Sequence, residues 1–333
     1  MRLLVTGGSG FIGSNFVRHM LASRPDHHVV NLDKLTYAGN PANLRDVEDD
    51  PRYRFVKGDI CDAPLVRELV RGVDVVVNFA ASTHVDRSLH DPDEFLRTDV
   101  FGVFTLLEAV RAHPPTRMLQ VSTDEVYGSV PEGSSRESDP LRPTNPYSAS
   151  KAAGDLLCGA YWRSHRVPVM ITRASNNYGP YQYPEKVVPL FVTNAIDGQA
   201  LPLYGDGLNV REWLHVADHC KALDLVLHEG KDGEIYNVGG GAEVQNVVLT
   251  KEILSLLGRP ESLIRPVSDR PGHDRRYSLD CSKLRALGWR PQQSFATGLA
   301  ETVAWYREHE AWWRPLKSGE FREYYERQYR SRV

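Results

Sequence analysis

The chain has 333 residues, 41% hydrophobic and 25% charged, with a formal net charge of −3. That length buries a large core, and the balance is that of a soluble globular protein rather than a general nucleic-acid binder, which would carry a basic surface. No apolar run approaches the ~20 residues of a membrane span, and the N-terminus lacks a signal-peptide pattern, so a cytoplasmic protein is expected. The cysteines Cys61, Cys158, Cys220 and Cys281 are widely spaced and form no C-x-x-C, so neither a disulfide framework nor a metal site is expected.

In chain order, Leu3-Leu4-Val5 predicts a first strand that stops at glycines, and Phe11 to Leu21 a helix. Further strands are predicted at Val29 to Asp33, Tyr53 to Val56, Val73 to Phe79, Arg117 to Ser122 and Pro168 to Arg173. Helices are predicted at 63–71, at 100–112 and through Lys151. Nearly all-apolar strands alternating with helices predict an α/β fold, a Rossmann-type doubly wound parallel sheet covered on both faces.

After about residue 174 the rhythm breaks into Asn-, Tyr- and Pro-rich loops. Residues 1–174 are therefore expected to form a cofactor domain, and 175–333 mainly a smaller substrate-binding domain. A strand near 234–238 is expected to return to the main sheet. Two later helices are predicted at 250–257 and 295–309, and the charged, aromatic segment 321–332 reads as a solvated helix.

Thr6-Gly7-Gly8-Ser9-Gly10-Phe11-Ile12-Gly13 follows the first strand and opens the first helix. It satisfies G-x-G-x-x-G, whose glycines allow a tight turn, close approach of a pyrophosphate and close helix–strand packing. The helix N-terminus offers free N–H groups and partial positive charge to that pyrophosphate. Asp33 ends the second strand about 20 residues on, where a carboxylate accepts from both ribose hydroxyls of NAD and repels the extra phosphate of NADP. The neighbouring Lys34 is expected to point to the other side of the strand. Asp59-Ile60 follows the third strand, where an adenine contact and a helix cap for Asp59 are equally compatible with the spacing.

Tyr147 and Lys151 stand at i and i+4, on one helix face. A free phenol ionises near ~10, and a neighbouring ammonium favours its phenolate, which makes a usable base for hydride chemistry. Thr123 and the adjacent carboxyls Asp124 and Glu125 lie at a strand end upstream. A simple dehydrogenase has no evident use for an acid and a base as well, so the pair hints at an elimination; a solvated loop or a cap at Asp124 is the bland alternative.

These motifs resemble the extended short-chain dehydrogenase/reductase superfamily and, within it, the dTDP-glucose 4,6-dehydratase family. The likeness runs nearly end to end and is carried by TGGSGFIG, DKLTYAGN, GDICD, THVDRS, STDEVYG, PYSASKA, NNYGPYQYPEK, YGDGLNVREWL and DRPGHDRRY. TDEVYG with DRPGHD is the specific part, pointing to nucleotide-hexose 4,6-dehydratases.

The resemblance implies bound NAD, a nucleotide-sugar substrate (dTDP-glucose) and a homodimer paired through helices of the cofactor domain. Thr123 would hydrogen-bond the sugar 4-hydroxyl and Tyr147 would take its proton as C4 is oxidised. Glu125 would remove the C5 proton, and protonated Asp124 would serve the departing 6-hydroxyl, before hydride returns to C6. Cofactor residues would be Gly7, Gly10, Phe11, Ile12, Gly13, Asp33, Lys34, Thr36, Asp59, Ile60, Ala80, Ala81, Thr98, Tyr147, Lys151 and Asn177. The nucleotide sugar would be held by Thr83, Thr123, Asn176, Lys186, Tyr204, Arg211, Asn246, Arg270 and His273.

Three departures from the family's pattern stand out: Ser82 where glutamate is common, Asp99 where asparagine is common, and the segment 242–246, which matches only loosely. They leave thymidine against uridine open. A UDP-glucose dehydratase, a nucleotide-sugar 4-epimerase, a UDP-glucuronate decarboxylase and a GDP-mannose dehydratase remain the enzyme alternatives. An NAD-binding regulator is the non-enzyme one.

Overall fold

The computed structural model describes residues 1–329. The first half runs through β1 (Arg2–Thr6), β2 (His28–Asp33), β3 (Tyr53–Lys57), β4 (Val75–Asn78), β5 (Arg117–Thr123) and β6 (Val169–Ala174), with helices between most neighbours. The chain continues through β7 (Asn176–Tyr178), β8 (Leu201–Tyr204), β9 (Val210–His215), β10 (Ile235–Val238), β11 (Ala242–Gln245) and β12 (Ile264–Val267).

The apolar runs are buried on both sides because alternate residues face opposite helix layers. Leu3, Val5, Val75, Val77 and Leu119 join one core with Phe16 and Met20 from the helix Phe11–Ser23 and with Val226. Leu4, Val76 and Met118 join the other with Val66 and Leu106. Each fully buried aliphatic side chain contributes about 1.5–3 kcal/mol against exposure.

One seven-stranded sheet has the order β10-β6-β5-β4-β1-β2-β3, with every neighbour parallel. The direction of winding reverses between β1 and β4. In such sheets ligands bind in the crevice beyond the carboxyl ends of the strands at that reversal. Gly7 after β1, Asp33 at the end of β2 and Thr123 at the end of β5 all stand on that edge.

The smaller sheets, β11-β9-β7 and β12-β8, flank a third core that includes Tyr178, Leu190, Trp213, Leu249, Tyr306 and Trp313. Two sequence expectations need correction here. The segment read as a solvated helix is the helix Glu320–Tyr329, whose Phe321, Tyr324, Gln328 and Tyr329 are buried; the rest of that segment lies outside the described residues. Those four stand at i, i+3, i+7 and i+8, a buried helix face that the high overall charge obscured. The helix expected from Val100 begins earlier, because Leu96–Gly102 winds as π turns that lead into Val103–Ala112. Among the described residues no helix is long and apolar enough to cross a membrane.

Candidate active site

A cavity of about 290 Å³ opens at the strand reversal, and its wall carries both the glycine turn and the Tyr147–Lys151 helix. All the residues assigned above to the cofactor line it, as do Thr83, Thr123, Asp124, Glu125, Asn176 and Lys186.

The turn is built for close approach. Gly7 has φ +70°, and a Cβ there would stand 2.6 Å from Ala80 N; one on Gly13 would stand 2.8 Å from Gly8 Cα. The helix Phe11–Ser23 starts at Gly10 with no side-chain cap, so its first amides keep no side-chain acceptor beside the cavity. Asp33 is held by the amides of Ser9 (2.9 Å) and Leu35 (2.8 Å), and burial raises its pKa against those two bonds. A glycine cradle, an uncapped helix start and a fixed carboxylate at the end of β2 fit a dinucleotide with free ribose hydroxyls.

Lys34 does not turn away as expected. Its Nζ pairs with Asp59 Oδ2 at 2.9 Å, on the same cavity wall. Asp59 is not the cap of the next helix either: Asp62 accepts from Leu65 N, while Asp59 accepts from Cys61 N at 2.9 Å. Local spacing could not separate two aspartates three residues apart.

Tyr147 and Lys151 sit on the helix Pro146–His165, started by Pro146 and by a reciprocal cap between Asn145 and Ser148. Such a cap is worth about 1 kcal/mol and fixes where the first turn begins. Tyr147 is 6% exposed, its ring edge-on to Phe95 with centroids 6.3 Å apart. Lys151 Nζ donates to Val121 O at 2.9 Å, which draws the ammonium under the end of β5. Burial raises the phenol's pKa well above its usual value, Glu125 and Asp99 add to the rise, and the Thr123 hydroxyl opposes it.

The two carboxyls differ. Asp124 is 3% exposed, and burial, then Glu125 and Glu212, push its pKa well above the carboxylate range. Glu125 is only partly buried; desolvation raises it too, but Arg270, Lys186 and Arg211 all oppose the rise. Asp124 Oδ2 and Glu125 Oε2 have no hydrogen-bond partner among the described residues. Both carboxyls are raised by desolvation, Asp124 further than Glu125, because the cations act mainly on the glutamate. Thr123 also caps the short 3-10 turn Asp124–Tyr127, accepting from Glu125 N at 3.2 Å, which aims the pair at the cavity.

Tyr204, Arg211, Asn246, Arg270 and His273 do not line the cavity. Arg270 pairs with Asp86 at 3.2 Å, Tyr204 donates to Asp86 at 3.0 Å, and His273 lies 2.6 Å from Asp269. Arg211 is anchored on the carbonyls of Val210 and Asp274 with its guanidinium 4.4 Å from the Tyr277 ring centroid. Asn246 opens the helix Asn246–Leu256, its amide bonded to Asn209 O at 3.0 Å. Of these, Arg211 and Arg270 reach the site through their charge on Glu125.

Gln182, Tyr183, Glu185 and His219 line the cavity and were not assigned from sequence. The first three lie inside the Asn- and Tyr-rich motif already quoted, which was the available signal. His219 carries none: its place comes from a 2.9 Å contact between its Nδ1 and Asn177 Oδ1, across 42 residues.

The chain is similar to known proteins along nearly its whole length. The family model described as GDP-mannose 4,6 dehydratase matches residues 4–302. A dTDP-glucose 4,6-dehydratase of Streptomyces niveus is 54% identical over 323 residues, 96% of this chain and 96% of that protein. The crystal structure of DesIV, a dTDP-glucose 4,6-dehydratase from Streptomyces venezuelae solved with NAD and a second ligand bound, superposes with a TM-score of 0.94 at 58% identity, covering 95% of this chain and 100% of that one. The dTDP-glucose 4,6-dehydratase of Bacillus anthracis in complex with NAD has a TM-score of 0.90 at 50% identity over 95% of this chain and 100% of its own. Identity of that order along nearly the whole length places this chain in the dTDP-glucose 4,6-dehydratase family.

Proposed function

We propose that the protein is a lyase that converts dTDP-glucose to dTDP-4-keto-6-deoxyglucose with bound NAD. The observation that carries this reading is the unequal pair Asp124 and Glu125 in one cavity with Tyr147 and Lys151. Residues 1–174, with β10, would hold the cofactor, and the remainder would mainly hold the sugar nucleotide.

Bound in the glycine cradle with Asp33 on its ribose, NAD would supply the hydride acceptor for C4 and the hydride donor for C6. Thr123 and Tyr147 hold the 4-hydroxyl, and Tyr147 takes its proton, helped by the Lys151 charge beneath it. The 4-ketone acidifies C5, where Glu125 is the base. Asp124, kept protonated by burial and by its acidic neighbours, delivers a proton to the leaving 6-hydroxyl. Lys186, Arg211 and Arg270 oppose the rise that desolvation gives Glu125, which favours its carboxylate, and bring positive charge toward the diphosphate. Asn176 and Thr83, which line the cavity, would complete the sugar side.

A cytoplasmic homodimer goes with this reading. What supports the dimer is exposed apolar surface at Leu96, Phe101, Phe104 and Leu156 on neighbouring helices, with Phe101 and Phe104 rings 5.8 Å apart. What supports the compartment is that all four cysteines are free thiols.

Gly13→Ala is expected to lower the NAD retained through purification by about tenfold or more, equivalent to about 1.4 kcal/mol, because its Cβ meets backbone rather than a movable side chain. Nucleotide released on denaturation measures it, and wild-type NAD content in a folded Gly13→Ala protein contradicts the cradle. The direct test of the reaction is incubation with dTDP-glucose and, separately, UDP-glucose without added cofactor, following product mass. Loss of one water from the dTDP sugar is the expected result. Loss from UDP-glucose alone replaces the nucleotide, and loss from neither, even with NAD supplied, overturns the reading.

A further inference from the structure

One buried acid beside the cavity has no part in the steps above. Asp99 is 2% exposed and lies on the π-wound segment Leu96–Gly102, a winding often found at functional sites. Its Oδ1 accepts from Ser82 N at 3.1 Å, and Ser82 is part of the cavity wall. Its Oδ2 accepts from the Ser150 hydroxyl at 2.8 Å, on the helix turn between Tyr147 and Lys151. That helix packs on the same backbone, because Gly154 leaves no side chain there: a Cβ would stand 2.7 Å from Asp99 O.

A carboxylate in so dry a place is strongly disfavoured unless it is charge-paired and hydrogen-bonded. The groups acting on it are few. Lys151 and Ser150 face it from the helix Pro146–His165, the Ser82 amide from the cavity wall and Glu94 from the turn before its own segment; Tyr147 feels its charge in return. Lys151 is the cation among them, so the ammonium that serves Tyr147 is also the counter-charge of Asp99.

We propose that Asp99 is a positioning residue of the active site. Its carboxylate ties the Ser82 segment of the cavity wall to the Tyr147–Lys151 helix and supplies the negative charge against which Lys151 is held. It thereby sets how readily Tyr147 gives up its proton. The proposal rests on the reading that Tyr147 and Lys151 carry the proton transfer, and its test has a readout that needs no substrate.

Burial pushes the Asp99 carboxyl up to about 6, against Lys151, Ser150 and Ser82. Above that pH the ionised acid disfavours the Tyr147 phenolate; below it the acid is neutral and the effect is gone. Asp99→Asn keeps the shape and removes the charge. Tyr147 is titrated by tyrosinate absorbance, as the difference between the enzyme and its Tyr147→Phe variant, once with Asp99 intact and once in the D99N background.

The expected result is a Tyr147 midpoint lower by roughly one pH unit in D99N. The acid limb of kcat/KM for dTDP-glucose should move the same way, with the two profiles meeting below about pH 6. Superimposable tyrosinate titrations, with only thermal stability lowered, would make Asp99 a packing residue and overturn the proposal. A moved titration in a protein that does not turn over dTDP-glucose keeps Asp99 as a positioning residue and removes the substrate reading instead. Should D99N not fold, Asp99→Ser, which keeps a small acceptor toward Ser82, carries the same comparison.

Discussion

Tyr147→Phe is expected to lower turnover of dTDP-glucose by roughly 10³-fold, about 4 kcal/mol of barrier. The substitution removes one oxygen from a ring that is 6% exposed and packed edge-on to Phe95, so the fold and the cavity shape are retained. What is lost is the acceptor for the 4-hydroxyl proton. Burial, Glu125 and Asp99 all hold that phenol protonated in the free site, and the Thr123 hydroxyl is what counters them. The base is therefore weak until substrate and cofactor enter, and the rest of the site does not replace it. Because oxidation at C4 comes first, the variant should lose both water release and reduction of the bound nicotinamide in a single turnover. Turnover within about tenfold of wild type would remove Tyr147 from the proton transfer.

Glu125→Gln is expected to separate the steps instead. It leaves Thr123, Tyr147 and Lys151 in place, so oxidation at C4 continues and reduced nicotinamide accumulates on the enzyme. Removal of the C5 proton should fall by about 10²–10⁴-fold, read as loss of solvent deuterium uptake at C5 and of product one water lighter. Glutamine fills the same space but cannot take a proton from C5. The positive charge of Arg270, Lys186 and Arg211 acts on the ionised glutamate alone. Asp124→Asn should also block water loss, but with uptake at C5 retained, because the proton missing there is the one for the leaving hydroxyl. If E125Q dehydrates at the wild-type rate, the assignment of base and acid along Asp124-Glu125 is wrong.

Several features of the site were legible along the chain because they are local. A glycine turn between a strand and a helix, an acid closing β2, a tyrosine and lysine one helical turn apart, and two adjacent acids after β5 all show in short windows. Backbone geometry over a few residues puts each at the carboxyl edge of the sheet. The sixth strand and the helices around it were also readable, since an apolar run between turn residues has few other ways to be buried.

The misreadings have a common source. Lys34 was assigned by strand alternation, yet β2 ends at Asp33 and the lysine follows its partner Asp59 across to the next strand's loop. The helix at 320–329 was judged by its charge, yet its aromatic face meets the third core and a hydrogen bond from Gln328 reaches Tyr204 at 2.8 Å. Asp99 was a departure from a familiar pattern with no partner in view; its partners, Ser82 and Ser150, lie 17 and 51 residues away.

The sequence by itself determined the α/β class, the dinucleotide cradle and the chemistry the reacting groups are able to do. The resemblance named an acid and a base among them, but tertiary structure alone decided how unequal the surroundings of the two carboxyls are. Asp124 and Glu125 are neighbours in sequence with similar intrinsic acidity. Asp124 is buried near Glu212 with Arg211 as its cation, while Glu125 also feels Lys186 and Arg270, and these groups come from separate stretches of the chain. A pKa difference of that kind is set by burial and by charges brought close in space, and no short window of residues contains either.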